Sequence, residues 1–188
     1  MTKKDMFRIL VVDDNAEIRE IVKEYLTEDD CIIDGADNGK NALEKYLKNP
    51  FDIIITDLKM PEMSGIDLIK HIKQLNDVTE FIIITGYASL DTAMEAIKLG
   101  AFDYIVKPFR IEELKVATKN AKEKIALKKT NQELLDKLKS FYSELERYRQ
   151  IEKKTDEQKS GEQDFGTEKI VEEIKRLERL IKTRLMIE

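Results

Sequence analysis

The sequence predicts an α/β protein in which a doubly wound, five-stranded parallel sheet is followed by a long α-helical coiled-coil extension. Two patterns predict the sheet: short apolar segments rich in Ile and Val alternate five times with amphipathic segments, and glycines or prolines separate them. A third pattern predicts the extension, because neither glycine nor proline occurs from residue 109 to residue 160, where good helix formers dominate.

Five apolar segments are the predicted strands: 9–12, 31–33, 53–56, 81–84 and 103–106. All but the second run directly into a polar residue. Because ligands bind at the carboxyl ends of the strands in an open parallel sheet, these polar side chains are expected to meet at one edge. They are Asp13 and Asp14 after the first strand, Asp57 after the third, Thr85 after the fourth and Lys107 after the fifth.

The segments between the strands have apolar residues three and four positions apart, as helices that cover a sheet do. The predicted helices are 15–28, 38–48, 64–74 and 89–98, with a fifth from residue 111. Asp14 or Asn15 is placed to cap the first of them. Among the glycines that mark the joints is Gly35, after the second strand. The order of strands and helices therefore fits a parallel sheet covered on both faces.

Residues 111 to about 151 are predicted to form one continuous helix, about 60 Å long at 1.5 Å per residue. Its second half has a heptad seam with Asn131 at an a position, a device that fixes a two-stranded parallel register. Glu144 and Arg149 fall at g and e positions of the same heptads. The expected dimer contacts are Leu127, Asn131, Leu134, Leu138, Phe141, Leu145 and Tyr148. The alternative is an amphipathic helix that packs on its own domain.

The predicted organisation is a globular domain over 1–123, the long helix over 111–151, a flexible linker over 152–167 and a short amphipathic helix over 168–188. The linker has almost no apolar residues and two glycines. The last helix is too short to be stable alone. It is therefore expected to dock on the long helix, on a sister copy or on a partner protein.

Charge is distributed unevenly along the chain. Residues 1–109 hold 13 Lys and Arg against 21 Asp and Glu, a net −8, whereas residues 110–188 hold 20 against 17, a net +3. The signs alternate in the second part, which argues against direct nucleic-acid binding and suits helix–helix partners. The single cysteine, Cys31, lies in an apolar strand and fits a reducing cytoplasm. The apolar run near the N-terminus is too short for a signal peptide or a membrane span.

Asp57 is the candidate phosphoacceptor, because the end of a central strand would fix its carboxylate at the rim of the sheet. Attack on a phosphoryl group brings anionic oxygens together and calls for a cation. Mg²⁺ prefers carboxylate oxygens, and Asp13 and Asp14 would supply them together with Asp57. Taken alone, the Asp13–Asp14 pair could simply cap the first helix.

Two further strand ends offer groups for a phosphate. Lys107 precedes a proline, so its backbone is extended, and its ammonium can reach a phosphate on Asp57 as a point charge. The sequence leaves open whether the Lys107–Pro108 bond is cis or trans. Thr85 offers a hydroxyl to a phosphoryl oxygen. Taken singly, the first is a solvated lysine and the second an ordinary β-branched strand residue.

Residues 7–123 resemble the receiver domain of bacterial two-component response regulators. The shared motifs are Val-Val-Asp-Asp at 11–14, Ile-Thr-Asp-Leu-Lys-Met-Pro at 55–61 with Gly65, Thr-Gly-Tyr at 85–87, Gly-Ala-Phe-Asp-Tyr at 100–104 and Lys-Pro-Phe at 107–109. Residues 85–109 resemble receivers of the nitrogen-regulator class in particular. The resemblance implies a flavodoxin-like fold in which five strands and five helices alternate.

The resemblance also implies roles for the site residues. Asp57 would accept phosphate from a phosphohistidine of a sensor histidine kinase, and the backbone carbonyl of Lys59 would join Asp13, Asp14 and Asp57 in binding Mg²⁺. Such a domain catalyses its own phosphotransfer and dephosphorylation and is not a conventional enzyme. The remaining implied roles are a switch pair, Thr85 and Tyr104, and two positions that tune the loss of phosphate, Lys59 and Tyr87.

The output of the chain is open. Nitrogen-regulator proteins continue into an ATPase domain and a helix-turn-helix, and neither is expected after residue 123 because no Walker motif or basic recognition helix occurs there. The coiled segment resembles the linker helix through which such receivers dimerise. Either the coil itself is the output, by dimerising or recruiting a partner, or the chain is the receiver and linker of a transcription regulator whose output domain is missing.

Two other classes of phosphate chemistry fit less well. A phosphatase of the haloacid-dehalogenase type would need a second acid two residues after the nucleophile, where this chain has Lys59. A phosphotransfer helix pair in the C-terminal part would need a histidine, and the only histidine is His71, inside the first domain.

Overall fold

The computed structural model describes residues 6–27, 31–76, 78–156, 172, 175 and 176, and it confirms the predicted α/β fold with its long C-terminal helix. The strands of the described residues are β1 (Phe7–Val12), β2 (Cys31–Ala36), β3 (Ile53–Thr56), β4 (Glu80–Thr85) and β5 (Asp103–Val106). The helices are α1 (Ala16–Leu26), α2 (Gly39–Lys48), α3 (Gly65–Leu75), α4 (Leu90–Lys98) and α5 (Ile111–Asp156).

The sheet is parallel throughout, with the strand order β2-β1-β3-β4-β5. The direction in which strands are added reverses at β1, which makes the gap between β1 and β3 the switch point where ligands bind in such sheets. Val12 pairs with Thr56 at this point. The residues that follow them, Asp13 and Asp57, therefore leave the sheet side by side.

Alternate residues of the strands contribute their side chains to two separate apolar layers, one on each face of the sheet. Ile9 and Val11 belong to the layer shared with α1 and α5, whereas Leu10 and Val12 belong to the layer shared with α2, α3 and α4. All four are 0% exposed, so the sheet is buried on both faces as predicted. A fully buried side chain of this size contributes about 2 kcal/mol, and this burial fixes the rim on which the polar residues lie.

Local sequence signals set the ends of most elements. Asn15 is the N-cap of α1, where its side chain accepts hydrogen bonds from Glu17 N and Ile18 N. Gly35, predicted to mark a joint, lies instead inside β2, which runs three residues further than predicted. The strand continues there because β1 extends to Val12, and Val11 and Val12 pair with Gly35 and Ala36.

Helix α5 runs without a break for 46 residues and ends at Asp156. Residues 152–156, predicted to begin the linker, are therefore helical, because Glu and Lys continue the helix and no glycine occurs before residue 161. The rest of the predicted linker and most of 168–188 lie outside the described residues. The chain divides into two compact units, residues 1–128 and 129–188.

In the first unit, a buried ion pair ties α5 to the sheet. Glu80, at the start of β4, is 1% exposed. Its Oε1 lies 2.9 Å from Nζ of Lys128 and 3.4 Å from Nζ of Lys124. A buried carboxylate needs such partners, so these contacts hold α5 against the sheet as far as Lys128.

The predicted heptad seam presents its two rows differently. The d residues are largely exposed: Leu127 61%, Leu134 53%, Phe141 63% and Tyr148 60%. The a residues Asn131, Leu138 and Leu145 are half-buried. Dimerisation through this seam stays a prediction. Among the helices of the described residues, none has a stretch long and apolar enough to cross a membrane.

Candidate functional site

Lys107 joins the ends of three strands at the carboxyl edge of the sheet. Its Nζ donates to Oδ2 of Asp13, after β1, and to Oδ2 of Asp57, after β3, at 2.6 Å in both cases. Asp13 is 1% exposed and Asp57 5%. The fold therefore brings together three of the residues that the sequence predicted to converge, in a nearly closed polar cluster.

The ammonium of Lys107 is held in its charged form by this cluster. Burial alone would lower the pKa of Lys107, but the hydrogen bonds to Asp13 and Asp57 and the charges of these carboxylates outweigh burial and raise the pKa above 10.5. The peptide bond between Lys107 and Pro108 is cis, which the sequence left open. A fixed cation therefore lies beside the candidate phosphoacceptor.

The loop between β1 and α1 is fastened at several points. Oδ1 of Asp13 accepts a hydrogen bond from the backbone N–H of Asn15 at 2.9 Å. Nη1 of Arg19 donates to the backbone carbonyl of Asp13 at 2.7 Å and to that of Asp14 at 3.3 Å. Sequence reasoning missed Arg19, which fastens this loop from the first turns of α1. Asp14 remains exposed, one residue from the buried cluster.

The loop after β3 fixes Asp57 from the other side. Its backbone N–H donates to the carbonyl of Val12 at 2.9 Å, and its Oδ1 accepts from the backbone N–H of Lys59 at 3.2 Å. Gly65, the first residue of α3, packs directly over this loop, and its N–H donates to the carbonyl of Leu58 at 3.0 Å. The Asp57 carboxylate therefore has little freedom to turn.

Thr85 and Tyr104 form separate hydrogen bonds, the first to the segment before α4 and the second to the first turn of α4. The hydroxyl of Thr85, 0% exposed, accepts from the backbone N–H of Tyr87 at 3.1 Å. The hydroxyl of Tyr104 lies 2.9 Å from Oγ1 of Thr92. Thr92 also forms a capping box with Ser89 at the start of α4. The hydroxyl of Tyr104 is thus tied to the cap of a helix.

Sequence reasoning missed Ser89 and Thr92. The usual sign of a capping box is a Ser or Thr followed three residues later by Glu or Gln, and threonine in the last position is a weak signal.

Lys59 and Tyr87 contact each other at the mouth of the site. Nζ of Lys59 lies 3.9 Å from the centre of the Tyr87 ring, well within the range of a cation–π interaction. Lys59 follows β3, in the same loop as Asp57, and Tyr87 follows β4, so the contact joins the loop of Asp57 to the neighbouring loop.

The oxygen atoms present suit a hard cation. Mg²⁺ prefers carboxylate oxygens and keeps several waters, so two or three carboxylates are enough. Asp13 and Asp57 present buried oxygens to one point, and exposed Asp14 is adjacent to them. As they stand, no group of three or more His, Cys, Asp or Glu side chains in the described part of the chain is arranged to hold a metal. Lys107 occupies the space between the two buried acids.

We expect Tyr104→Phe to lower the free energy of unfolding by about 1 kcal/mol, because it removes one of the two paired hydroxyls. Thr92→Val should lower it by about 2 kcal/mol, because it removes the other hydroxyl and also breaks the capping box. In the double variant the losses should not add, and the coupling should be about 1 kcal/mol. Urea unfolding of the four proteins measures this cycle, with Thr92→Ser as the variant that keeps the hydroxyl. Strictly additive losses would mean that the two hydroxyls do not interact.

Comparison with known proteins gives a consistent result for the first part of the chain. The sequence model of the response regulator receiver domain matches residues 9–119. The response regulator protein PilR of Pseudomonas aeruginosa is 40% identical over 108 residues, which are 57% of this chain and 24% of PilR. The chemotaxis protein CheY of Thermotoga maritima is 41% identical over 104 residues, which are 55% of this chain and 87% of CheY.

Solved structures agree with these sequence matches. The crystal structure of a response regulator receiver domain protein from Clostridium thermocellum is 35% identical, with a TM-score of 0.60 over 65% of this chain and 98% of that one. The chain spans about a quarter of the length of PilR and of the regulatory protein AtoC of Escherichia coli.

Proposed function

Because the chain belongs to the response regulator receiver family, we propose that Asp57 accepts a phosphoryl group from a sensor histidine kinase and that α5 passes the change on. The chain contains the receiver domain of a two-component response regulator related to the nitrogen-regulator class. The observation that carries the proposal is the bridge from Lys107 to both Asp13 and Asp57, at 2.6 Å each. It sets a fixed cation beside a buried acid at the switch point of the sheet.

In this proposal Asp13, Asp14 and Asp57, with the backbone carbonyl of Lys59, hold Mg²⁺. The bound ion would neutralise charge as the carboxylate of Asp57 meets the phosphoryl group. Lys107 is already held in its charged form and would be a second neutralising group. Binding of the ion requires Asp13 and Asp57 to share their oxygens between Lys107 and the metal.

Thr85 and Tyr104 would form the switch that reads the phosphate. A phosphoryl group on Asp57 would draw the hydroxyl of Thr85 away from its bond to Tyr87 N. Rotation of Tyr104 behind it would break the bond to Thr92 and loosen the cap of α4. Such a change shifts the populations of two existing states of α4, β5 and the start of α5. The contact of Lys59 with Tyr87 would tune the loss of phosphate, because it ties the loop that carries Asp57 to the loop after β4.

The output would run through α5, by dimerisation or by binding a partner, and a protein partner is proposed for residues 168–188. The helix leaves the receiver directly after β5 and is fixed to the sheet by Glu80. The alternative is that the chain is the receiver and linker of a longer transcription regulator, which fits its coverage of about a quarter of PilR. We also propose a cytoplasmic location, which suits a chain whose only cysteine is buried.

The proposal is tested by phosphorylating the protein with acetyl phosphate and Mg²⁺, without any kinase. Mass spectrometry of the intact chain should show one added phosphoryl group, and trapping with borohydride should map it to Asp57. The exposed Asp14 is the internal control for non-specific labelling. Modification spread over several acids, or none that depends on Mg²⁺, would contradict the proposal.

A further inference from the structure

In the second unit, α5 carries a row of large apolar side chains that nothing in the described structure covers. Leu134, Phe141 and Tyr148 are 53%, 63% and 60% exposed and follow one another at intervals of seven residues. They therefore lie along one side of the helix over about 20 Å. An isolated exposed apolar residue is ordinary, but a continuous row of this kind marks an interaction surface.

The neighbouring side of the same helix is much less exposed. Leu135 is only 8% exposed, and Leu138 and Leu145 are half-buried. Nζ of Lys175 lies 5.7 Å from the centre of the Tyr142 ring, on this same side of the helix. A two-stranded coiled coil in either direction needs both the a row and the d row of each helix, so a single open row supports contact through that row alone. The d row alone, formed by Leu134, Phe141 and Tyr148, is open to another molecule.

Charged residues border the open row on its far side, away from the covered a row. Glu133, Lys137, Glu144 and Arg147 are all exposed, and none of them has an ion-pair partner within the described residues. Along the helix their signs alternate: negative, positive, negative, positive. This border therefore complements a copy of itself that runs in the opposite direction.

We propose that the open row binds the same row of a second copy of this chain, with the two α5 helices antiparallel and Phe141 at the two-fold axis. In antiparallel helices each flank faces the same flank of the partner helix, whereas in parallel helices it faces the opposite flank. The antiparallel arrangement places Leu134 opposite Tyr148 of the second copy, because both are seven residues from Phe141.

The charges decide between the two directions. About Phe141, Lys137 lies four residues before the axis and Glu144 three residues after it, so each faces the other across the antiparallel pair. Glu133 lies eight residues before Phe141, and Arg147 lies six residues after it. Because both side chains are long, Glu133 of one copy can reach Arg147 of the other. A parallel pair centred on the same row would set these charges against the apolar a row of the other helix, where they have no partner.

This inference deepens the proposed function, since it names the partner of α5 and the direction in which that partner binds. It differs from the parallel seam predicted from Asn131. The reason is that the a row, which contains Asn131, is half-buried within one chain.

The direction of pairing is measured by disulfide cross-linking of the full chain with single introduced cysteines, and wild type with its buried Cys31 is the control. Phe141→Cys should cross-link to itself. Leu134→Cys alone and Tyr148→Cys alone should not cross-link. A mixture of the two variants should form a disulfide between one chain of each. Self-linking of Leu134→Cys, Tyr148→Cys or Leu138→Cys as efficient as that of Phe141→Cys would overturn the antiparallel arrangement. So would the absence of any cross-link together with a monomeric mass by light scattering.

A charge exchange tests the same interface through exposed residues only, so it leaves folding intact. Lys137→Glu should weaken the dimer about tenfold, because both symmetric pairs become repulsive. Adding Glu144→Lys should restore it. Equal dimer affinity in all three proteins would overturn the proposal.

Labelling with acetyl phosphate in the same samples separates the two proposals. A monomer that is still labelled at Asp57 refutes the docking surface alone, and an antiparallel dimer without labelling refutes the phosphoacceptor alone.

Discussion

Replacing Lys107 by methionine is expected to lower the free energy of unfolding by about 3 kcal/mol without Mg²⁺ and to slow phosphorylation about a hundredfold. Asp13 and Asp57 are both buried and both bonded to the same ammonium at 2.6 Å. Without that ammonium, two buried carboxylates face each other with no cation between them. The phosphoryl group would also lose a positive charge positioned before it arrives.

The pH dependence of the loss follows from the raised pKa of Lys107. A lysine whose pKa is higher in the folded protein than in the unfolded chain stabilises fully below the unfolded value and loses this effect as pH rises through the folded value. The stability difference between wild type and Lys107→Met should therefore stay constant from neutral pH to about 10.5 and shrink above it.

Urea unfolding across this pH range measures the effect, and exposed Lys98→Met is the matched control for loss of a lysine charge. Mg²⁺ should recover part of the stability that Lys107→Met loses, because it supplies a cation to the same carboxylates. Adding Asp57→Asn should recover stability without metal, since it removes one of the two facing charges. A Lys107→Met variant as stable as Lys98→Met would show that the bridge contributes nothing.

Replacing Gly65 by alanine is expected to lower the free energy of unfolding by about 3 kcal/mol and to displace the phosphoacceptor loop. A Cβ at Gly65 would overlap the carbonyl oxygen of Asp57 and lie 3.0 Å from the Asp57 carbonyl carbon and from Oγ1 of Thr56. Two of these three atoms belong to the backbone, so no side-chain rotation relieves the clash. Either α3 or the end of β3 must move.

Gly86→Ala is the matched control, because a Cβ there meets only Cβ of Lys107, at 4.0 Å. Its stability should stay within about 0.5 kcal/mol of wild type. Thermal and urea unfolding measure both variants, and acetyl phosphate labelling of Gly65→Ala reports the displaced loop. Equal stability of Gly65→Ala and Gly86→Ala would mean that the Asp57 backbone or α3 can shift at no cost to accommodate the Cβ.

The sheet and its polar rim could be predicted from sequence because both follow from local patterns. Apolar runs of four to six residues define parallel strands, and parallel strands bring their ends to one edge whatever the details of packing. Asp13, Asp57 and Lys107 therefore met as expected. The long helix could also be predicted from a local pattern, because the sequence contains an uninterrupted run of good helix formers.

Contacts between distant segments could not be predicted in this way. Tyr104 on β5 binds Thr92 on α4, and Glu80 on β4 binds Lys124 and Lys128 on α5, but neither contact has a sequence signature. The close contact of Gly65 with the Asp57 backbone depends on how closely α3 approaches the end of β3. These features arise only when separate elements pack.

The sequence by itself determined the fold class, the acidic rim and the heptad spacing of α5, because each is a periodic or positional property of neighbouring residues. Only the tertiary structure decided which row of that heptad is open. Leu134 of the d row is 53% exposed, whereas the equally apolar Leu138 of the a row is half-buried. Exposure of a helix side depends on which other segment covers it, and the period of the helix carries no information about that segment.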